Sequence, residues 1–281
     1  MQQFFGRGEI AATWQVFHAP LIALGISATL ALLGTRLRYP LALAAAGGAA
    51  VLAGWGSIVR SPLTLWPHGA AERLVLFSAA TLLIAAIAEK FVARRGAWPP
   101  LLLIALGCGW WMAGAARSGP GVLAAWPIEL IGAVAVIVVA WLSGIPRAAG
   151  EPLRPAMAAC TLAAALHVIG APWLWIMVAF VPAAACVPLM LLPRLSVLAL
   201  LPVTADLAAA QVGVLLSIGR LAHGTLTLAD AAALSPLLSL WLFPHAATRF
   251  GVTRWGRLVV AAGCGAVAVA IPWGVKHLRG G

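Results

Sequence analysis

Across 281 residues the chain is 63% hydrophobic and only 9% charged, with a net charge of +11 and a mean hydropathy of +1.02. A soluble domain carries roughly a quarter charged residues, so a water-soluble globule is excluded. Continuous apolar runs such as Leu130–Leu142 exclude the short alternating strands of a membrane barrel, and the cations sit between apolar runs and not on an aromatic-interleaved basic face, which excludes nucleic acid as a partner.

The expected fold is therefore all-α: a polytopic transmembrane helical bundle forming one integral-membrane domain over residues 1–281. Ten spans are read from runs near the length of about 20 apolar residues that a bilayer requires. No cleavable leader is expected in the first sixteen residues, which lack a basic segment followed by a compact apolar core.

The first span runs from Thr13 to Gly34, the second from Pro40 to Val59, and the third from Leu74 to Ala88. The fourth covers Pro100 to Ala116 and the fifth Val122 to Ile145. The loop PRAAGEPLRP follows, whose prolines and arginines cannot sit in lipid as helix interior. The sixth span is Ala156 to Ile169, and the tripeptide GAP turns into the seventh, Trp173 to Leu192. The eighth is Leu195 to Gly219, the ninth Ala231 to Ala247 and the tenth Leu258 to Val275. Spans three and six are short, so they either extend beyond these limits or fail to cross; eight spans is the lower bound. No loop is long enough to hold a soluble domain.

Arginine placement orients the bundle. Loops after spans one, three, five, seven and nine hold Arg36, Arg38, Lys90, Arg94, Arg95, Arg147, Arg154, Arg194, Arg249, Arg254 and Arg257. The opposite internal loops hold Arg60, Arg73, Arg117 and Arg220. Eleven against four predicts that the first side is cytoplasmic, which leaves both termini periplasmic. The Ala-rich, Arg-over-Lys composition points to a bacterial inner membrane.

Few residues can carry chemistry. Of seven acidic residues, Asp206 alone lies deep in a span. A charged side chain at that depth costs at least about 2.5–3.5 kcal/mol by insertion scales, so it must protonate, pair or line a wet cavity. Thr204 and Gln211 add polar groups on the same span, and Pro202 breaks its hydrogen bonding just before the acid. Asp206 and Gln211 are five apart, so they point in directions that differ by roughly 140°. His167, late in span six, completes the set of candidate substrate- or proton-binding residues.

His18, His167 and His245 each stand alone on their segments, with no HxxxH or HxxH pair. Ligation of haem or metal requires facing or convergent ligands, so no cofactor and no metal site is expected, and the histidines are read as interhelical hydrogen-bonding groups. The four cysteines lie in apolar runs without a CxxC pair and read as small buried hydrophobes.

Of thirteen Trp, Trp66, Trp98, Trp126, Trp173, Trp175, Trp255 and Trp273 fall near span ends, as an interfacial belt requires. Trp55, Trp110, Trp111, Trp141 and Trp241 read mainly as packing. Small residues, above all Ala44–Ala50, predict close helix approach. Intramembrane Pro20, Pro182, Pro188, Pro202, Pro236, Pro244 and Pro272 predict kinks.

No phosphate-binding loop, dinucleotide fingerprint, zinc-protease helix or nucleophile elbow occurs, and the sequence identifies no catalytic residue. The expected function is an inner-membrane transport protein or permease subunit moving a small or lipidic solute. The alternatives are an integral-membrane enzyme on a lipid-linked substrate, using Arg60, His68, Arg73, Arg220 and His223, or a non-catalytic subunit of a membrane complex. The lipid bilayer and membrane-protein subunits are the expected partners.

Overall fold

The computed structural model describes residues 13–37, 40–59, 70–91, 152–192, 197–217, 228–250 and 253–280. Among the described residues there are eight helices: α1 (Thr13–Arg36), α2 (Pro40–Ile58), α3 (Ala70–Phe91), α4 (Leu153–Val168), α5 (Trp173–Leu189), α6 (Val197–Ser217), α7 (Leu228–Phe250) and α8 (Arg254–Gly280). Each coincides with one expected span. The short third run extends at both ends to 22 residues, because Glu72–Arg73 and Glu89–Lys90 continue the helix beyond its apolar centre. The runs Pro100–Ala116 and Val122–Ile145 lie outside the described residues.

Among the described residues two stretches, Phe17–Arg36 and Trp255–Leu278, are long and apolar enough to cross a membrane. Both are mostly outward-facing: Leu21, Leu32, Trp255, Val259 and Leu278 are all exposed.

All seven expected prolines lie inside helices. A proline leaves the carbonyl four residues earlier without its N–H donor, and two of these carbonyls find side-chain donors. Trp55 Nε1 of α2 donates to Val178 O, the carbonyl that Pro182 leaves open, at 3.0 Å. Ser235 Oγ donates at 2.7 Å to Ala232 O, which Pro236 leaves open.

Glycines set the closest approaches. A Cβ at Gly54 would lie 2.7 Å from Val181 Cγ1 and 3.1 Å from the Ala19 carbonyl oxygen, so α1, α2 and α5 meet there nearly backbone to backbone. A Cβ at Gly48, within the small-residue run, would lie 2.7 Å from Pro202 Cβ. The α4–α5 turn closes as expected at GAP. Gly170 adopts φ +75°, and its N–H and that of Ala171 donate to His167 O and Leu166 O, the pairing that ends a helix on a left-handed residue.

The helices alternate in direction. The rings of Phe17 and Trp173 meet at a tilt, 5.5 Å between centroids, which brings the starts of α1 and α5 together. Lys276 Nζ donates to Val168 O, so the end of α8 lies at this same proximal face. Arg154 lies over the Phe243 ring at 5.7 Å, near the opposite, distal face. The start of α1 and the end of α8 therefore share one face.

At the centre stands α6, packed against α2, α3, α4, α5 and α7. Every side chain from Pro202 to Val214 is buried. A helix apolar on all sides is one surrounded on all sides.

Candidate functional site

Asp206 lies midway along α6 and is fully buried. Its partners come from α3. Ser78 Oγ donates to Asp206 Oδ2 at 2.8 Å, and Thr81 Oγ1 lies 3.0 Å from Oδ1. Ser78 and Thr81 are themselves buried. Three residues apart, they share one face of α3, and together they span the two oxygens of one carboxyl. Pro202, one turn before Asp206, seats its ring against Gly48, and this glycine lets α2 and α6 close up beside the site.

The Thr81 hydroxyl has one proton and two acceptors in range, Asp206 Oδ1 and the main-chain oxygen of Ser78 at 2.9 Å. This gives the cluster two complete arrangements. With a carboxylate, both hydroxyls donate to it. With a carboxylic acid, Ser78 still donates to Oδ2, the acid proton goes to Thr81 Oγ1, and Thr81 donates to the Ser78 carbonyl. Neither state leaves a polar atom of the cluster without a partner, which matters because an unmade buried hydrogen bond costs about 1–3 kcal/mol.

The other sequence candidates do not converge on this cluster. Thr204 is buried, but its hydroxyl donates back along its own helix to Leu200 O at 2.8 Å. Gln211 is buried and donates from Nε2 to Ala233 O of α7, the different direction its five-residue offset from Asp206 requires. His167 is exposed at the proximal end of α4, with its ring 5.6 Å from that of Trp173.

Ser78 and Thr81 are the residues that sequence reasoning missed. Their signal was a pair of hydroxyls at i and i+3 in an apolar span, a spacing that marks a common face but not what that face meets.

His245 meets the Trp241 ring at a tilt and His277 meets the Trp273 ring edge to face, each near a helix end. Among the described residues no group of three His, Cys, Asp or Glu could hold a metal ion. Arg60, His68, Arg220 and His223, the loop residues of the enzyme alternative, lie outside the described residues.

Three expectations need correction. Trp241, read as a packing residue, is exposed. Trp175, assigned to the interfacial belt, is buried, whereas Trp173 is half exposed. Two residues apart, they point about 200° away from each other on a helix, so only one can face outward. Cys160, expected to pack inside, is exposed, while Cys186 and Cys264 are buried as expected.

The outward face around Cys160 is a groove of about 660 Å³. Its floor is α4, one wall is formed by α1 and α5, and the other by α8. The floor and the α8 wall are built mainly of small side chains, and Gly265 of α8 approaches Thr161 of α4 so closely that a Cβ there would lie 3.0 Å from Oγ1.

No protein-family model, curated protein or solved structure matches the chain.

Proposed function

We propose that the chain is a multi-pass protein of a bacterial inner membrane, a transport protein or permease subunit for a small or lipidic solute, with Asp206 as its proton-carrying element. The observation that carries this reading is a fully buried carboxyl at mid-length of the central helix, held by two hydroxyls in an arrangement complete with and without the proton. Acids at such depth are costly and mark proton and substrate paths.

The membrane assignment is supported by the outer helices. A monomeric soluble protein rarely exposes large contiguous apolar surface, yet α1 and α8 turn large apolar side chains outward along their length. Of the described arginines, Arg36, Arg154, Arg249 and Arg257 lie toward the distal face, the side read as cytoplasmic, against Arg73 and Arg279 toward the proximal face. The end of α3 and the start of α4 share the distal face.

The test is proton entry into proteoliposomes holding a pH-sensitive dye, driven by a potassium diffusion potential. Wild-type protein is expected to acidify the lumen faster than protein-free vesicles do, and Asp206→Asn to fall to their rate. A wild-type rate equal to that of empty vesicles, or an unchanged rate in Asp206→Asn, refutes the proton-carrying role.

A further inference from the structure

Ionised Asp206 is a full charge inside the bundle, and the structure surrounds it with neutral groups. Its partners are the Ser78 and Thr81 hydroxyls, and among the described residues no basic side chain pairs with it. Charges at such burial are paired with a countercharge or coordinate a metal ion. Hydrogen bonds from neutral donors lower the cost of the charge without cancelling it, whereas a cation within the cluster cancels it.

The ligand set is all oxygen. Oδ1 and Oδ2 of Asp206, Oγ of Ser78 and Oγ1 of Thr81 converge on the seam between α3 and α6, with hydroxyl-to-carboxyl distances of 2.8 and 3.0 Å. Such oxygens bind hard cations, and the absence of nitrogen and sulfur among Asp206's partners is the wrong chemistry for copper or zinc. One carboxylate balances one positive charge, so a divalent ion would leave an uncompensated charge of the opposite sign in the same buried place. Oxygens this close together admit a small ion, of sodium or lithium size and not of potassium size.

The hydroxyls can turn lone pairs to an ion only if their protons have other acceptors. Thr81 has one in place, Ser78 O at 2.9 Å. Ser78 can donate one turn back to Leu74 O, as Thr161 and Thr204 donate to the carbonyls four residues before them in α4 and α6. Rotating two hydroxyls therefore converts two donors to a carboxylate into ligands beside it.

We infer that Asp206, Ser78 and Thr81 form a binding site for a small monovalent cation, sodium above all, which takes the place of the proton on the carboxyl. The inference shares the ionising carboxyl of the proton-carrying reading and rests on that residue's ionisation. It is tested by binding, so the two can fail separately.

The experiment uses the full chain, purified in mild detergent and titrated with radioactive sodium in an alkaline buffer free of other alkali metals. Wild-type protein is expected to bind sodium saturably at one ion per chain. Unlabelled sodium and lithium displace the label, and potassium does so only at a concentration at least about tenfold higher. Asp206→Asn, which keeps the size and shape of the acid, abolishes binding. Ser78→Ala and Thr81→Val each weaken it about tenfold, the effect of losing one ligand worth about 1.4 kcal/mol. Thr81→Ser, which restores the hydroxyl, binds like wild type. So does Thr204→Val, whose lost hydroxyl pointed to Leu200 O and not to the cluster. Thermal unfolding establishes that each variant is folded, and Asp206→Asn decides the matter if the hydroxyl variants are not.

No saturable sodium binding by wild type overturns the site, as does equal binding by folded Asp206→Asn. Equal displacement by sodium and potassium overturns the small-ion assignment, and wild-type affinity in both folded hydroxyl variants overturns the ligand set. Asp206-dependent proton entry into sodium-free vesicles by a protein that binds no sodium refutes the site alone. Sodium bound at Asp206 by a protein that admits no protons refutes proton carrying alone.

Discussion

Replacing Asp206 with Asn and with Leu separates a hydrogen-bonding role from a proton-carrying one. Asn keeps the size and shape of Asp. Its Oδ1 can accept from Ser78 Oγ, and its Nδ2 can donate to Thr81 Oγ1, whose proton then goes to Ser78 O at 2.9 Å. Both α3–α6 contacts survive, so Asp206→Asn is expected to lie within about 0.5 kcal/mol of wild type, the usual range for a substitution that removes no interaction. Leu keeps neither contact. Interhelical hydrogen bonds in membranes average about 0.6 kcal/mol, with maxima near 1.7, so losing the two places Asp206→Leu about 1–3 kcal/mol below wild type. The assay pairs thermal unfolding in detergent with proton entry in vesicles. Asp206→Asn is expected to unfold like wild type and to lose proton entry; Asp206→Leu loses both stability and proton entry. If Asp206→Leu matches or exceeds the stability of Asp206→Asn, the clamp from α3 contributes nothing and the structural reasoning fails. If folded Asp206→Asn carries protons at the wild-type rate, the carboxyl is not the carrier.

Three further expectations follow from the packing. Trp55→Phe removes the donor to Val178 O and is expected to cost about 1–2 kcal/mol; in a Pro182→Ala background the restored backbone N–H takes that carbonyl, so a double-mutant cycle of thermal stabilities should give a coupling of about 0.6–1.7 kcal/mol. Gly54→Ala forces a Cβ against Val181 and the Ala19 carbonyl oxygen and should destabilise by about 1–3 kcal/mol. Gly25→Ala, where a Cβ meets nothing within 4 Å, should stabilise by up to about 1 kcal/mol through helix propensity; denaturation of both variants checks the opposite signs. Reporter fusions at Gly281 should read periplasmic and fusions near Arg95 and Arg147 cytoplasmic; because the start of α1 and the end of α8 share one face, a cytoplasmic C-terminus would reverse the orientation read from the loop cations.

The linear pattern of this chain determines where helices lie along it and how far along its helix each residue sits. Long apolar runs, cationic punctuation and tryptophans near the ends locate α1 to α8 to within a few residues, and they put Asp206 midway along its helix before any contact is known. The pattern of small residues likewise announces close approach at Gly48. Rotation about the helix axes is another matter. In a water-soluble bundle the contrast between apolar and polar faces tells each helix which side turns inward. Here Pro202–Val214 is apolar on nearly every side, and α1 and α8 are apolar toward both the bundle and its surroundings, so the contrast is lost. Only packing decided that Trp175 turns in and Trp173 out, that Cys160 faces outward, that the hydroxyl pair of α3 meets the carboxyl of α6 while Gln211 turns to α7, and that small residues of α4 and α8 face each other across a groove. Position along a helix follows from counting along one chain. Azimuth follows from the shapes of several helices fitted together, and side chains of nearly uniform polarity do not encode it.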